Sequence, residues 1–329
     1  MKYAPKEPAE ANSQACCVPV ALRWWVNPSA LKLMSSEPRR VENLLTDKGY
    51  VPVYTTAVVD QPWDSYTPED HATWASLFRR QREILKGRAC DEFIENQKRF
   101  RMTPDQIPRF EELNEVLEKA TGWQIIGVEG LLPELTFFEH LANRRFPVTW
   151  WIRRPDQIDY IAEPDMFHDL FGHVPLLLNP MFADYMAAYG RGGVKAHGVS
   201  AEALVNLTRL YWYTVEFGLI RQEDGLRIYG SGIVSSKGES IHCLESASPN
   251  RIGFDLKRIM RTRYRIDSFQ KTYFVIDSFD QLMDATRPDF VPIYAELAPK
   301  DSLPAGSVQD DDKVYQRGSG EGWPTDADA

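Results

Sequence analysis

From Pro68 onward the apolar positions follow the period of a helix. Trp74, Leu77, Phe78, Ile84 and Leu85 recur at three- and four-residue spacing with Arg and Glu between them, which predicts an amphipathic helix. A second stripe, Phe110, Leu113, Leu117 and Ala120 in "RFEELNEVLEKATGW", predicts another helix, with Gly122 just past its end. "FFEHLANRRF" has a helical pattern, whereas "PVTWWIR" is a short apolar and aromatic run of β type. Residues 200–220, "SAEALVNLTRLYWYTVEFGLI", predict one long helix capped by Ser200, with Glu202 adding favourable charge in its first turn. Gly-rich turns and short strands follow in "LRIYGSGIVSS" and "KTYFVID". The pattern predicts a single, mostly α domain (α+β, with small β elements) over residues 44–300.

The two ends differ from this body. Residues 1–43 lack clean periodicity and are expected to form a flexible leader. Met34 opens "MSSEPRRVENLL" in the manner of a natural start, so an over-extended start covering residues 1–33 is the alternative. The acidic segment 301–329, with its Pro, Gly and Ser, is expected to be disordered.

Composition narrows the function classes. A net charge of −9 over 329 residues argues against non-specific nucleic-acid binding, which needs a basic surface. No apolar run reaches the length of a membrane span, and "ACCVPVALRWWV", broken by Pro19 and Arg23, makes a poor signal peptide. Cys16, Cys17, Cys90 and Cys243 include no CxxC pair and do not read as a disulfide framework, so a cytoplasmic protein is expected.

The candidate chemistry lies in "EPDMFHDLFGHVPLL". His168 and His173 stand five apart, which on an ideal α-helix turns their rings about 140° from each other. Gly172 and Pro175 offer a way to unwind the end of such a helix so that both rings converge on one ion. Glu216 is a candidate third ligand, because a carboxylate in a helix apolar nearly all round is costly to bury without a charge or a metal. Arg209 and Arg221 are alternative partners for it. Two histidines and a carboxylate suit the facial triad of non-haem iron enzymes or a His₂Glu zinc hydrolase, and the residue types alone leave both open.

"EPDMFHDLFGHVPLL" and "LYWYTVEFGL" resemble the two iron-ligand signatures of the pterin-dependent aromatic amino acid hydroxylases. The resemblance continues through "HATWASLFRRQ", "RACDEF", "IPRFEELNEVL", "TGWQIIGVEGLLPE", "YGSGIVSSKGE" and "YFVIDSFDQL", over roughly Thr46 to Pro292. It is nearest to the bacterial phenylalanine 4-hydroxylase branch, which consists of the catalytic core alone, and so implies a monomer. It implies His168, His173 and Glu216 as Fe(II) ligands, a tetrahydrobiopterin or related tetrahydropterin as cofactor, O₂ as co-substrate and L-phenylalanine as the substrate turned into L-tyrosine.

Carried over residue by residue, the resemblance gives Arg153 the substrate carboxylate and places Ser235 near the substrate and a ligand histidine. Trp212 and Phe217 become walls of the amino acid pocket. Trp212 stands where tryptophan hydroxylases have Phe, and Val275 where tyrosine hydroxylases have an acid, so both favour phenylalanine. Phe137 would stack on the pterin, with Val128, Gly130 and Leu132 approaching its ring through their backbone and Tyr211 close by. Asp169 matches an acid that contacts pterin through water, where animal members have Glu; Ile161 replaces a threonine near the substrate. The alternatives are another aromatic amino acid hydroxylase of the same family, such as one for tryptophan, or a zinc hydrolase on the same donor set.

Overall fold

The first long helix opens on a reciprocal cap: Asp70 N–H donates to the Thr67 hydroxyl while the Asp70 carboxylate accepts from Thr67 N–H at 2.8 Å. The computed structural model describes residues 45–46, 49–50, 56–159, 161 and 163–323; the leader and Met34 lie outside them. Strands β1 (Leu45–Thr46) and β2 (Gly49–Tyr50) pair with each other, and β3 (Val58–Val59) precedes the capped helix α1 (Pro68–Ile84). Helices α2 (Asp91–Arg99) and α3 (Phe110–Thr121) follow. Gly122 ends α3 in the left-handed conformation, φ 71°, as its place after the apolar stripe predicts.

Strand β4 (Gln124–Val128), helix α4 (Glu134–Ala142) and strand β5 (Arg145–Thr149) form a crossover in which β4 and β5 are parallel and β3 joins β4 antiparallel. The β run therefore stops at Thr149, before the two tryptophans that sequence alone includes in it. Beyond a π-helical turn, His168–His173, and a 3₁₀ turn, Val174–Leu178, come α5 (Pro180–His197) and α6 (Ala201–Tyr211). The expected helix over 200–220 ends early. Residues Trp212–Glu216 form a second π turn, and Leu219 and Ile220 already belong to strand β6 (Leu219–Gln222).

Strand β7 (Gly225–Ile228) makes a hairpin with β6, and α7 (Ser231–Val234) and α8 (Lys237–Glu245) lead to β8 (Asn250–Gly253). Helix α9 (Leu256–Arg261), strand β9 (Thr272–Ile276), helices α10 (Phe279–Thr286) and α11 (Val291–Leu297) and strand β10 (Val314–Gln316) complete the order. The larger sheet runs β10-β8-β9-β6-β7, with β8/β9 and β6/β9 parallel. The helical body with three small sheets among the described residues is the α+β class expected.

The buried face of α1 carries the first histidine turn. Trp74 packs edge-on to Phe167 at 5.6 Å and Phe78 edge-on to Phe171 at 5.5 Å, while Phe167 and Phe171 stack at 4.8 Å. Burying each such side chain contributes about 1.5–3 kcal/mol, so the turn that carries the histidines is fixed from behind by the core.

The acidic segment from Asp301 corrects the expectation of disorder as far as Trp323. Asp312 is buried and pairs with Arg258 at 3.0 Å, Leu303 exchanges backbone hydrogen bonds with Arg261 and Arg263, and β10 joins β8 antiparallel. Asp312 is the counter-ion of an arginine of the domain, which composition cannot reveal. Cys90 and Cys243 are free and buried, and among the described residues no helix is long and apolar enough to cross a membrane.

Candidate metal centre and substrate pocket

The five-residue histidine spacing has its explanation in the π-helical turn. Hydrogen bonding runs i to i+5, as in Val174 N–H to the Asp169 carbonyl, so residues five apart come onto one face. The Nε2 atoms of His168 and His173 lie 3.1 Å apart, with the rings nearly perpendicular. The unwinding expected from Gly172 and Pro175 is not what happens. Val174 stays helical at φ −60°, ψ −39°, and Pro175 sits inside the next 3₁₀ turn. Gly172 is required for close approach instead: a Cβ there would come 2.9 Å from the Ser231 carbonyl oxygen.

The second π turn, closed by Phe217 N–H to the Trp212 carbonyl at 2.8 Å, delivers Glu216 to the same point. Its Oε1 lies 3.2 Å from His173 Nε2 and its Oε2 3.7 Å from His168 Nε2. Neither Arg209 nor Arg221 is its partner: Arg209 reaches the Met260 carbonyl and Ser302, and Arg221 pairs with Asp277. Ser231 Oγ lies 3.0 Å from Oε2 and 2.9 Å from the Val215 carbonyl, while the fully buried Oε1 completes no well-directed hydrogen bond.

Ser235 sets the tautomer of His168. Its hydroxyl donates to the Ser231 carbonyl at 2.8 Å, which leaves it to accept from His168 Nδ1–H at 2.9 Å. The Nε2 lone pair then faces His173 and Glu216. Burial pushes His168 down to about 4, against the pull of Glu216, and so favours the neutral imidazole. Burial acts to raise Glu216, but His173 and His168 outweigh it and hold the carboxyl below its usual range. The result is two imidazoles and one anion with an orphaned oxygen, a donor set that fits a divalent cation.

Asp169 offers a second carboxylate here. One ligand atom each from His168, Asp169 and His173 all lie within 4.8 Å of one another. Its Oδ2 is taken by Thr149, accepting from both the N–H and the hydroxyl at 2.8 Å. Burial pushes its carboxyl up to about 7, opposed by His173 and the Thr149 bonds.

Arg153 is buried and forked onto Asp165, Nε to Oδ2 at 2.8 Å and Nη2 to Oδ1 at 2.7 Å. Asp165 also accepts from His168 N–H at 3.1 Å, so it ties the arginine to the histidine turn. One edge of the guanidinium that the resemblance assigns to a substrate carboxylate is thus held by the protein's own acid. Sequence reasoning missed Asp165, although its place three residues before His168 is that of an acid bonding the backbone of a following turn.

The aromatic positions divide into two groups. Trp212 packs on Phe217 at 4.5 Å, stacks on Tyr264 at 4.4 Å and 16°, and donates its Nε1–H to Gln270 at 2.8 Å. Tyr211 lies 6.4 Å from the His173 ring and 6.0 Å from the half-buried Phe137. Phe146, not singled out from sequence, lies closer to His173 at 4.7 Å. Val128 ends β4 opposite Thr149, the residue that binds Asp169, and Leu132 is buried in the loop that follows. Gly130 in that loop is not among the positive-φ glycines, and Gly127 within β4 is packed so closely on β3 that a Cβ would meet the Val59 carbonyl. Val275 is buried on β9 in register with Leu219, three residues beyond Glu216.

The sequence profile of the biopterin-dependent aromatic amino acid hydroxylases matches residues 58–292. Phenylalanine-4-hydroxylase of Chromobacterium violaceum is 64% identical over 263 residues, 80% of this chain and 88% of that protein. The Ralstonia nicotianae protein of the same name is 63% identical over 270 residues, 82% and 86% of the two chains. The C. violaceum enzyme with bound oxidised Fe(III) aligns in structure with a TM-score of 0.77 at 64% identity, covering 79% of this chain and 94% of that one. Its form with iron(III) and 7,8-dihydrobiopterin gives 0.76 at 62% identity, covering 80% and 95%, and its form with iron and phenylalanine 0.75 at 61%, covering 81% and 97%. This chain belongs to the biopterin-dependent aromatic amino acid hydroxylases.

Proposed function

We propose that this chain is an iron- and tetrahydropterin-dependent monooxygenase that converts L-phenylalanine and O₂ to L-tyrosine. The observation that carries this reading is the buried convergence of His168, His173 and Glu216, with Nε2 and carboxylate atoms 3.1–3.7 Å apart, in a chain so similar to phenylalanine-4-hydroxylases. Glu216 is the metal carboxylate rather than Asp169, because Glu216 has an unmatched buried oxygen while Thr149 occupies Asp169.

Bound Fe(II) and tetrahydropterin supply the activation of O₂ that places one oxygen atom on the aromatic ring. The chain's own residues do the positioning. Ser235 holds His168 Nδ1–H, so that its Nε2 lone pair faces the ion. Arg153, pre-oriented by Asp165, offers its remaining N–H groups to the amino acid carboxylate. Trp212 and Phe217 wall the substrate ring, and Val275 keeps that pocket apolar. Phe137, near Tyr211 on the His173 side, would stack on the pterin, with Val128, Gly130 and Leu132 lining the approach and Asp169 contacting it through water. Burial of these groups keeps bulk water from the reacting atoms.

The acting unit is a cytoplasmic monomer with no nucleic-acid partner, a reading supported by the net charge of −9 and the free buried cysteines. Anaerobic reconstitution with Fe(II) or Zn(II), followed by O₂ and amino acid analysis, tests the function. Tyrosine formed only with iron and tetrahydropterin together is expected; turnover with zinc alone overturns it. Competition among Phe, Tyr and Trp separates this reading from a tryptophan hydroxylase.

A further inference from the structure

Packing alone leaves the tilt of a large ring to its neighbours, but Trp212 has a directional tether as well. Its Nε1–H donates to Gln270 Oε1 at 2.8 Å, and of the two broad orientations an indole takes about its second side-chain torsion only one brings Nε1 there. Gln270 is itself 3% exposed and fully engaged. Its Nε2 donates to the Arg265 carbonyl at 3.0 Å, and its backbone N–H donates to Glu239 Oε1 at 3.2 Å. The Tyr273 hydroxyl donates to the same Glu239 oxygen at 2.5 Å. Glu239 lies in α8, whose cap Ser236 directly follows Ser235. One short segment therefore orients His168 through Ser235 and anchors Gln270 through Glu239, so the indole is held in register with the metal centre.

We propose that Gln270 is a specificity-determining positioning residue: through the Trp212 indole N–H it fixes the face that Trp212 presents to the substrate ring, and so sets the preference for phenylalanine over the larger tryptophan. The inference rests on the reading above that Trp212 walls the amino acid pocket. Gln270 touches neither substrate nor metal in this scheme and acts through Trp212 alone.

The test uses the full-length, iron-loaded enzyme with tetrahydropterin and measures kcat/KM for L-Phe and L-Trp in competition. The variants are Gln270→Met, Gln270→Glu, Trp212→Phe and the double variant Gln270→Met/Trp212→Phe. Gln270→Met keeps the side-chain length but removes the acceptor, and is expected to lower the Phe/Trp ratio about tenfold, the worth of one buried hydrogen bond. Gln270→Glu retains the acceptor for the indole N–H but loses the donor to the Arg265 carbonyl, and is expected to keep the ratio above that of Gln270→Met. In the Trp212→Phe background, which has no indole N–H, Gln270→Met is expected to change the ratio no further. An equal effect of Gln270→Met in both backgrounds, or a fall in kcat alike for both substrates, overturns the proposal in favour of a purely structural role. If Trp212→Phe itself leaves the ratio unchanged, the pocket reading falls and takes this inference with it. If Trp212→Phe shifts the ratio and Gln270→Met does not, this inference alone falls. Should Gln270→Met not fold, Gln270→Asn, which withdraws the amide by one methylene, is judged by the same outcomes.

Discussion

Asp165 and Glu216 are both fully buried carboxylates, and both approach His168, yet the protein treats their charges in opposite ways. Asp165 has a permanent cation: Arg153 grips it with two side-chain bonds, and the backbone N–H groups of Arg153 and His168 add two more. Glu216 has one serine hydroxyl and two imidazoles, of which burial favours the neutral form of His168, with Oε1 left over. A buried acid matched by its own chain holds architecture in place. A buried acid left unmatched beside two lone-pair donors marks where the chain relies on a cation from outside.

Replacing Glu216 by Ala gives the largest expected effect. Tyrosine formation falls by at least about a thousandfold, roughly 4 kcal/mol of barrier, and iron content becomes substoichiometric by metal analysis. Retained iron and rate would transfer the ligand role to Asp169. Asp165→Ala strands the Arg153 guanidinium in the core and is expected to cost about 3–5 kcal/mol of folding stability in urea titrations. Fe(II) should still raise its melting temperature, as expected for the wild type, and a variant blind to iron would merge the two acids into one site.

Arg153 and its neighbour Arg154 sharpen the same contrast. Arg153→Lys replaces a fork with a point charge and is expected to raise KM for phenylalanine about tenfold. Arg154, mostly exposed and bonded only to Asp156 and its own turn, should tolerate Ala with no change in KM or melting temperature. An equal response from the two arginines would remove the special standing of the buried pair.

A smaller effect should appear in the pH dependence of the metal-free protein. Asp169 has a folded-state value raised to about 7 by burial, so its stabilising share is complete below the usual carboxylate range and is lost as pH rises toward 7. Relative to wild type, Asp169→Asn should therefore gain stability between pH 4 and 7, by about 1 kcal/mol per pH unit. Thermal unfolding across that range checks it, and a flat difference would mean that Asp169 is ionised throughout.

The α1 and α3 helices, and Gly122 as the end of α3, were legible because apolar spacing and a left-handed glycine are local signals. The histidine pair was legible as chemistry but not as geometry. An α template turns five-spaced rings apart, whereas an inserted π turn brings them together, and no single residue in "HDLFGH" announces that turn. Gly172 drew notice for turning the chain, but its place against Ser231 depends on a segment almost sixty residues away. Glu216 stood out because its surroundings were apolar, whereas Thr149, Gln270 and the Arg153 fork on Asp165 depend on partners 12 to 58 residues away that periodicity cannot supply. Asp312 read as one more acid of a disordered tail because its arginine, Arg258, lies far upstream.

That C-terminal segment bears on what counts as the minimal enzyme. Leu303 pins Arg261 and Arg263 just ahead of the Tyr264–Gln270 loop, Ala305 accepts from Thr272 just behind it, and the Lys271 ammonium sits over the Trp323 ring at 5.4 Å. A chain trimmed to the family's matched span keeps all three metal donors but loses both hinges of the loop that carries Tyr264 and Gln270, and leaves the buried Arg258 without its counter-ion. Such a fragment should exchange its amide hydrogens faster across residues 264–270 than the full chain, as a catalyst that can grip its metal but cannot keep its door frame square.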